Sequence, residues 1–171
     1  MPERYRRHYL KTKESRDILE KAFAKLKEDS TVLAKKGRLE AVETESAEIF
    51  LLDGKPILIK IADKIFPTLV SKEIFDVAPR IVVDMGAVPY ICKGANVMAP
   101  GIRRFEGQFQ KGDIVFVIDE KHGKPIAVGE TLYEKEEAMK TKQGIVVKTL
   151  HFVGDRMWNS IKELSLWADR A

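Results

Sequence analysis

The stretch Val83-Asp84-Met85-Gly86-Ala87, continued by Gly94-Ala95-Asn96-Val97-Met98-Ala99-Pro100-Gly101-Ile102, decides how the second half of the chain is read. It opens on Arg80-Ile81-Val82-Val83-Asp84, a short apolar run with strand composition. Gly86 breaks that run, and Ala87 to Cys92 predicts a short helix. Gly94 ends the helix, because glycine takes left-handed dihedrals without a Cβ clash. Asn96 to Met98 and Phe105 to Phe109 read as further strands. Lys111-Gly112-Asp113 turns the chain into Ile114 to Ile118, an unbroken apolar run of the kind buried on both faces. A hairpin through Lys121-His122-Gly123-Lys124 leads into Pro125 to Val128, which Gly129 to Tyr133 continues. A short helix over Glu134 to Lys140 and a last strand over Ile145 to Val153 complete the series. Many short strands joined by glycine-bearing turns imply a small barrel or sandwich.

Upstream the rhythm differs. Ser15 to Lys27 sets Ile18, Leu19, Ala22, Phe23 and Leu26 at helical spacing, with charged residues on the other face. Strand-like runs follow at Val32 to Ala34 or Arg38 to Val42, at Glu48 to Leu52 and at Pro56 to Ile61. Asp53-Gly54 between the last two is a hairpin signal, since a type I′ turn needs positive φ at both central residues. Ile65 to Val70 reads as a turn, and Ser71 to Val77 as a short helix stopped by Pro79. These elements predict an α+β domain over residues 1–77 and a mainly β domain over 78–171. The second domain is taken to include a terminal helix capped by Asp155, with Met157, Trp158, Ile161, Leu164 and Trp167 along one side.

Composition narrows the function. A chain that is 44% hydrophobic and 33% charged can bury cores, which argues against disorder. No run of 18 apolar residues occurs and the first residues are charged, so a cytoplasmic protein without a membrane span is expected. Cys92, the one cysteine, suits a reducing compartment and reads as a small buried hydrophobe ahead of a nucleophile. His8, His122 and His151 are scattered, so neither metal nor cofactor is expected. No nucleophile–base pair or phosphate loop stands out, and Asp84 and Asp113 read as turn caps before they read as an acid–base pair. A non-enzymatic protein is expected. The net charge of +4 divides evenly, with 16 basic and 14 acidic residues up to Val77, so any polyanion site must be a local patch.

The ordered set Val83 to Ala87, Gly94 to Ile102, Gly107, Lys111-Gly112-Asp113-Ile114-Val115 and Ala127-Val128-Gly129 resembles the PUA domain, named after pseudouridine synthases and archaeosine transglycosylases. With Leu51-Leu52-Asp53-Gly54-Lys55-Pro56 and Phe66-Pro67-Thr68-Leu69 ahead of it, the chain is similar to the two-domain family of the malignant T-cell amplified sequence protein and its yeast translation-machinery-associated counterpart. The resemblance fades before about Thr31. It implies an α+β pre-PUA domain followed by a PUA pseudo-barrel. It also implies RNA as partner (tRNA or ribosomal RNA), association with the small ribosomal subunit and, for eukaryotic members, a partner with an SUI-type domain.

In PUA domains the RNA surface lies on the helix after Gly86 and the strand near Ala95 to Pro100, and this implies Gly86, Ala87, Tyr90, Asn96 and Met98 as contacts. The start of the Gly86-Ala87 helix is expected to suit a phosphate. Lys93, Arg103 and Arg104 flank the motif as phosphate neutralisers or as a solvated face. Tyr90 reads as half-buried core or as a stacking face for an unpaired base. Two other functions stay open: an RNA-modification enzyme or its accessory, and a protein-interaction adaptor docking through the first domain and the last helix with Trp158 and Trp167.

Overall fold

A computed structural model describes residues 5–24 and 37–170, without the side chains of 166–170. The strand expected at Val32 to Ala34 and the helix position Leu26 lie outside these residues. The described helices are α1 (Thr12–Ala24), α2 (Lys72–Val77), α3 (Val88–Ile91), α4 (Lys135–Lys140) and α5 (Arg156–Arg170). Two compact units emerge, one of residues Met1–Ile74 with Arg156–Ala171 and one of Phe75–Asp155. The division falls inside α2.

The first unit is an antiparallel meander of β1 (Arg6–Tyr9), β2 (Leu39–Glu43), β3 (Glu48–Leu52), β4 (Lys55–Ile61) and β5 (Lys64–Pro67), in that spatial order. Asp53 and Gly54 have φ of 52° and 79°, the double positive φ that the Asp-Gly pair predicts. The next hairpin corrects the sequence reading. Lys64–Pro67 is a strand, paired with β4 from Ile61↔Lys64 to Leu58↔Pro67, where Ile65 to Val70 reads as a turn. Its tight turn rests on Ala62 at φ 52°, and alanine gives no turn signal. Strand β1 is also absent from the sequence reading, because all four of its side chains are exposed and no apolar alternation marks it.

Ile49 to Leu52 and Pro56 to Ile59 are buried on both faces, so β3 and β4 need cover on each. Helix α1 supplies some, packing against β5 with Leu19, Ala22 and Phe23 buried. Helix α5 packs on β4 and buries Met157, Ile161 and Leu164. It thus groups with the first unit, whereas the sequence reading assigns it to residues 78–171. A helical apolar stripe shows that a partner surface exists but not which surface it is. At its start, the Asp155 carboxylate accepts the Phe152 N–H at 2.9 Å and meets His151 Nδ1 at 2.9 Å.

The second unit is one six-stranded sheet ordered β7 (Val97–Met98), β11 (Ile145–Phe152), β10 (Pro125–Thr131), β9 (Ile114–Asp119), β6 (Arg80–Val83), β8 (Ile102–Glu106). All its pairs are antiparallel except β6 with β9. The sheet curls around Ile81, Val83, Ile91, Val97, Val115, Val117 and Val147. Every residue of β9 is buried, as its unbroken apolar run predicts. The expected strand at Phe105 to Phe109 forms three residues earlier, because Gly107, at φ 83°, turns the chain out of β8. The molecule is therefore an α+β unit followed in the chain by a mainly β pseudo-barrel.

Candidate nucleic-acid interface

Where β6 ends, the Asp84 N–H donates to the Gly101 carbonyl at 2.9 Å and the Asp84 carboxylate accepts the Ala87 N–H at 2.8 Å. These bonds tie the start of α3 to the 3-10 turn Ala99–Gly101. Helix α3 is one turn long, and Gly94 at φ 99° ends it, with the Gly94 N–H donating to the Ile91 carbonyl. The Ala95 N–H then returns to the Tyr90 carbonyl at 3.1 Å, which lays the following chain along the helix. A Cβ on Gly101 would stand 3.1 Å from Ala87 Cβ, so a glycine is what lets turn and helix start pack this closely.

Between helix and returning chain lies an open pocket of about 420 Å³, lined by Asp84, Gly86, Ala87, Tyr90, Ile91, Ala95, Asn96, Met98, Pro100 and Gly101. Of the residues singled out in the sequence, Gly86, Ala87, Tyr90, Asn96 and Met98 share this pocket, while Lys93, Arg103 and Arg104 do not line it. Ala95 and Pro100 fall within the stretch expected to carry the surface, whereas Asp84, Ile91 and Gly101 were not singled out as lining. Their cap, core and turn signals say nothing of a ligand.

Tyr90 is 69% exposed, so its ring is a surface feature and not half-buried core. Met98 is 47% exposed and stands opposite Ile145, itself 38% exposed. The side-chain carbonyl of Asn96 accepts the Thr149 N–H at 3.0 Å, and the Thr149 hydroxyl donates to the Ala95 carbonyl at 2.9 Å. These two bonds fix the pocket's rim to β11. The helix start does not suit a phosphate as the sequence suggests. The Ala87 N–H is engaged by a carboxylate that would repel an anion, and a single turn carries little macrodipole. An open pocket with apolar side chains and an exposed ring fits the flat face of an unpaired base.

Arg103 and Arg104 are adjacent on β8 and so point to opposite faces. Arg103 pairs with Glu120 at 3.1 Å and Arg104 with Glu106 at 3.0 Å. Both side chains are mostly exposed, and such surface pairs are worth about 0–1 kcal/mol, so a phosphate can displace either carboxylate. Lys93 is exposed just past α3. Asp113 caps a turn by accepting the Gln110 N–H at 2.8 Å. Cys92 is half-buried, and burial pushes its thiol up, away from the reactive thiolate. Among the described residues no His, Cys, Asp or Glu cluster could hold a metal, and no helix is long and apolar enough to cross a membrane.

A one-turn helix and returning strand on a curled mixed sheet define a PUA-type RNA-binding unit. Family models agree: the PUA domain matches residues 79–153 and the domain of unknown function DUF1947 matches 6–71. An uncharacterized protein of Methanocaldococcus jannaschii is 38% identical over 90% of this chain and 96% of its own. The translation machinery-associated protein 20 of Schizosaccharomyces pombe is 30% identical over 77% of each chain. The solved structure of a PUA domain protein from Aeropyrum pernix, 29% identical, superposes with a TM-score of 0.81 over 95% of this chain and 94% of that one. The chain belongs to the family of translation machinery-associated protein 20, in which a DUF1947 (pre-PUA) domain precedes the PUA domain. A probable tRNA pseudouridine synthase B of Pyrobaculum arsenaticum is 44% identical, but over 71 residues that make up 21% of its length. Most of that enzyme has no counterpart here.

Proposed function

We propose that this protein binds RNA in translation without catalysing a reaction, seating an unpaired base of a tRNA or of small-subunit ribosomal RNA in the pocket between α3 and β7. The observation that carries this is the exposed Tyr90 ring beside Gly86, Met98 and Pro100 in one apolar recess. Lys93, Arg103 and Arg104 would hold the flanking phosphates. In this reading the protein works in the cytoplasm at initiation or recycling, on the small ribosomal subunit, with an SUI-type factor as a further partner. The family name of the fungal relatives supports the setting.

Binding of labelled tRNA and of purified small subunits, each measured with wild-type protein and with Tyr90→Ala, tests it. Base–aromatic stacking of about 1–3 kcal/mol predicts at least fivefold weaker binding for the variant, with an unchanged melting temperature. Changing Lys93, Arg103 and Arg104 together to Ala should also weaken binding and flatten its salt dependence. Wild-type affinity in both variants would place the site elsewhere.

A further inference from the structure

We propose that Arg7, Tyr9 and Arg38 form a second contact for single-stranded RNA, on the edge strand of the first unit. The proposal rests on the RNA reading above but on none of its residues. Among the described residues, strand β1 pairs only with β2, from Arg6↔Glu43 to Tyr9↔Glu40, and all four of its side chains are exposed. Yet it is held at both ends. The Leu10 N–H donates to the Leu39 carbonyl at 2.8 Å with Leu10 buried, and the Tyr5 hydroxyl donates to Glu163 at 2.7 Å. The strand is ordered to present its surface.

By strand alternation Arg7 and Tyr9 share one face, which Glu40 and the preceding Arg38 share across the register. The Arg38 guanidinium lies 5.6 Å from the centre of the Tyr9 ring, and Tyr9 is 65% exposed. Arg7 Nε meets Glu40 at 2.7 Å, which fixes the guanidinium and engages one of its five N–H donors. Residues 5–16 hold five basic residues, Arg6, Arg7, Lys11, Lys13 and Arg16, against Glu14, so their excess of four equals that of the whole chain. Charge alone would blunt an edge strand. An aromatic ring kept exposed beneath an arginine does more: with flanking cations it combines a stacking face with phosphate contacts, the chemistry that single-stranded RNA recognises.

Anisotropy of a labelled oligouridylate of about 12 nucleotides, titrated with the full chain across salt concentrations, tests the proposal. The double change Arg7→Gln with Arg38→Gln should weaken binding and lower the slope of log K against log salt by about 1.4, at about 0.7 per lost contact to a single strand. Arg7→Lys with Arg38→Lys should keep most of the slope. Tyr9→Ala should weaken binding at least about fivefold at fixed salt, and Tyr9→Phe should restore it. Normal binding by the Gln and Tyr9→Ala proteins, with loss in Tyr90→Ala, overturns this proposal and leaves the pseudo-barrel site standing. Loss in the Gln protein with normal binding by Tyr9→Ala overturns it too, since an edge that attracts only charge suits an acidic polypeptide equally. A wild-type chain without affinity for this RNA, for tRNA or for the small subunit overturns both.

Discussion

A Cβ on Gly129 would stand 2.4 Å from Val147 Cγ1 and 2.7 Å from the Lys148 carbonyl oxygen, at the bulge where β10 and β11 shift register. The second neighbour is backbone and cannot turn aside. Gly129→Ala should therefore destabilise the protein by about 1–3 kcal/mol, read from urea unfolding. Gly86 differs. Its φ lies outside the left-handed region, and its added Cβ would meet only Asp84 Oδ1, at 3.3 Å. Gly86→Val should thus cost RNA affinity by more than its loss of stability explains, with circular dichroism and melting temperature measured alongside. An equal fall in both would make Gly86 a fold residue alone. Asp119 is buried at the end of β9. Burial lifts its pKa, but the backbone N–H groups of His122 and Lys124, the His122 charge and the Lys121 N–H together hold it below the usual carboxylate value. A depressed folded pKa contributes stability that is present above the unfolded value, about 3.9, and is lost as pH falls through the folded one. Melting temperature followed from neutral pH down through that range should fall less steeply in Asp119→Asn than in wild type.

At the scale of elements, what could be read from the sequence depended on whether the signal was local. Asp53-Gly54 announces its hairpin because φ is a property of the two residues themselves, and Gly94, at φ 99°, does likewise, whereas Gly129 is required by the close approach of Val147 and Lys148. Ala62 adopts the same positive φ only because strands Lys55–Ile61 and Lys64–Pro67 hold it there, so its hairpin was hidden. Strand Arg6–Tyr9 buries nothing and left no pattern to find. The candidate pocket was half legible. Gly86, Ala87, Asn96 and Met98 fall in one ordered motif, with Tyr90 on the helix between its first two runs, but the exposure of Tyr90 and the packing at the helix start depend on how the chain returns at Ala95 to Gly101. The apolar stripe of helix Arg156–Arg170 was also legible, though its destination on strand Lys55–Ile61 was not. Ile161 and Leu164 are almost fully buried, so Ile161→Ala or Leu164→Ala should each cost about 2–5 kcal/mol. Hydrogen exchange should register the loss along strand Lys55–Ile61, on which the helix packs, and leave strand Ile114–Asp119 protected.

At the scale of the whole molecule, the position of that helix makes the first unit discontinuous in sequence, with residues 1–74 closed by 156–171. The second unit is continuous, and among the described residues the core cluster that its sheet curls around lies within Phe75–Asp155, from Ile81 to Val147. At about 80 residues it is also large enough to fold alone. A fragment of residues 75–155 should therefore unfold cooperatively and keep the affinity that Tyr90 and its pocket supply. A chain truncated after Asp155 should behave in the opposite sense. It keeps strand β4 but loses Met157, Ile161 and Leu164 from its cover, so its first unit should melt early or fail to form, while the transition of the second unit stays where the fragment shows it. Calorimetry of the three proteins separates these outcomes. A fragment that melts without a cooperative transition would mean that the pseudo-barrel draws part of its core from residues 1–74 or 156–171, and the boundary between the units would then not be one of folding.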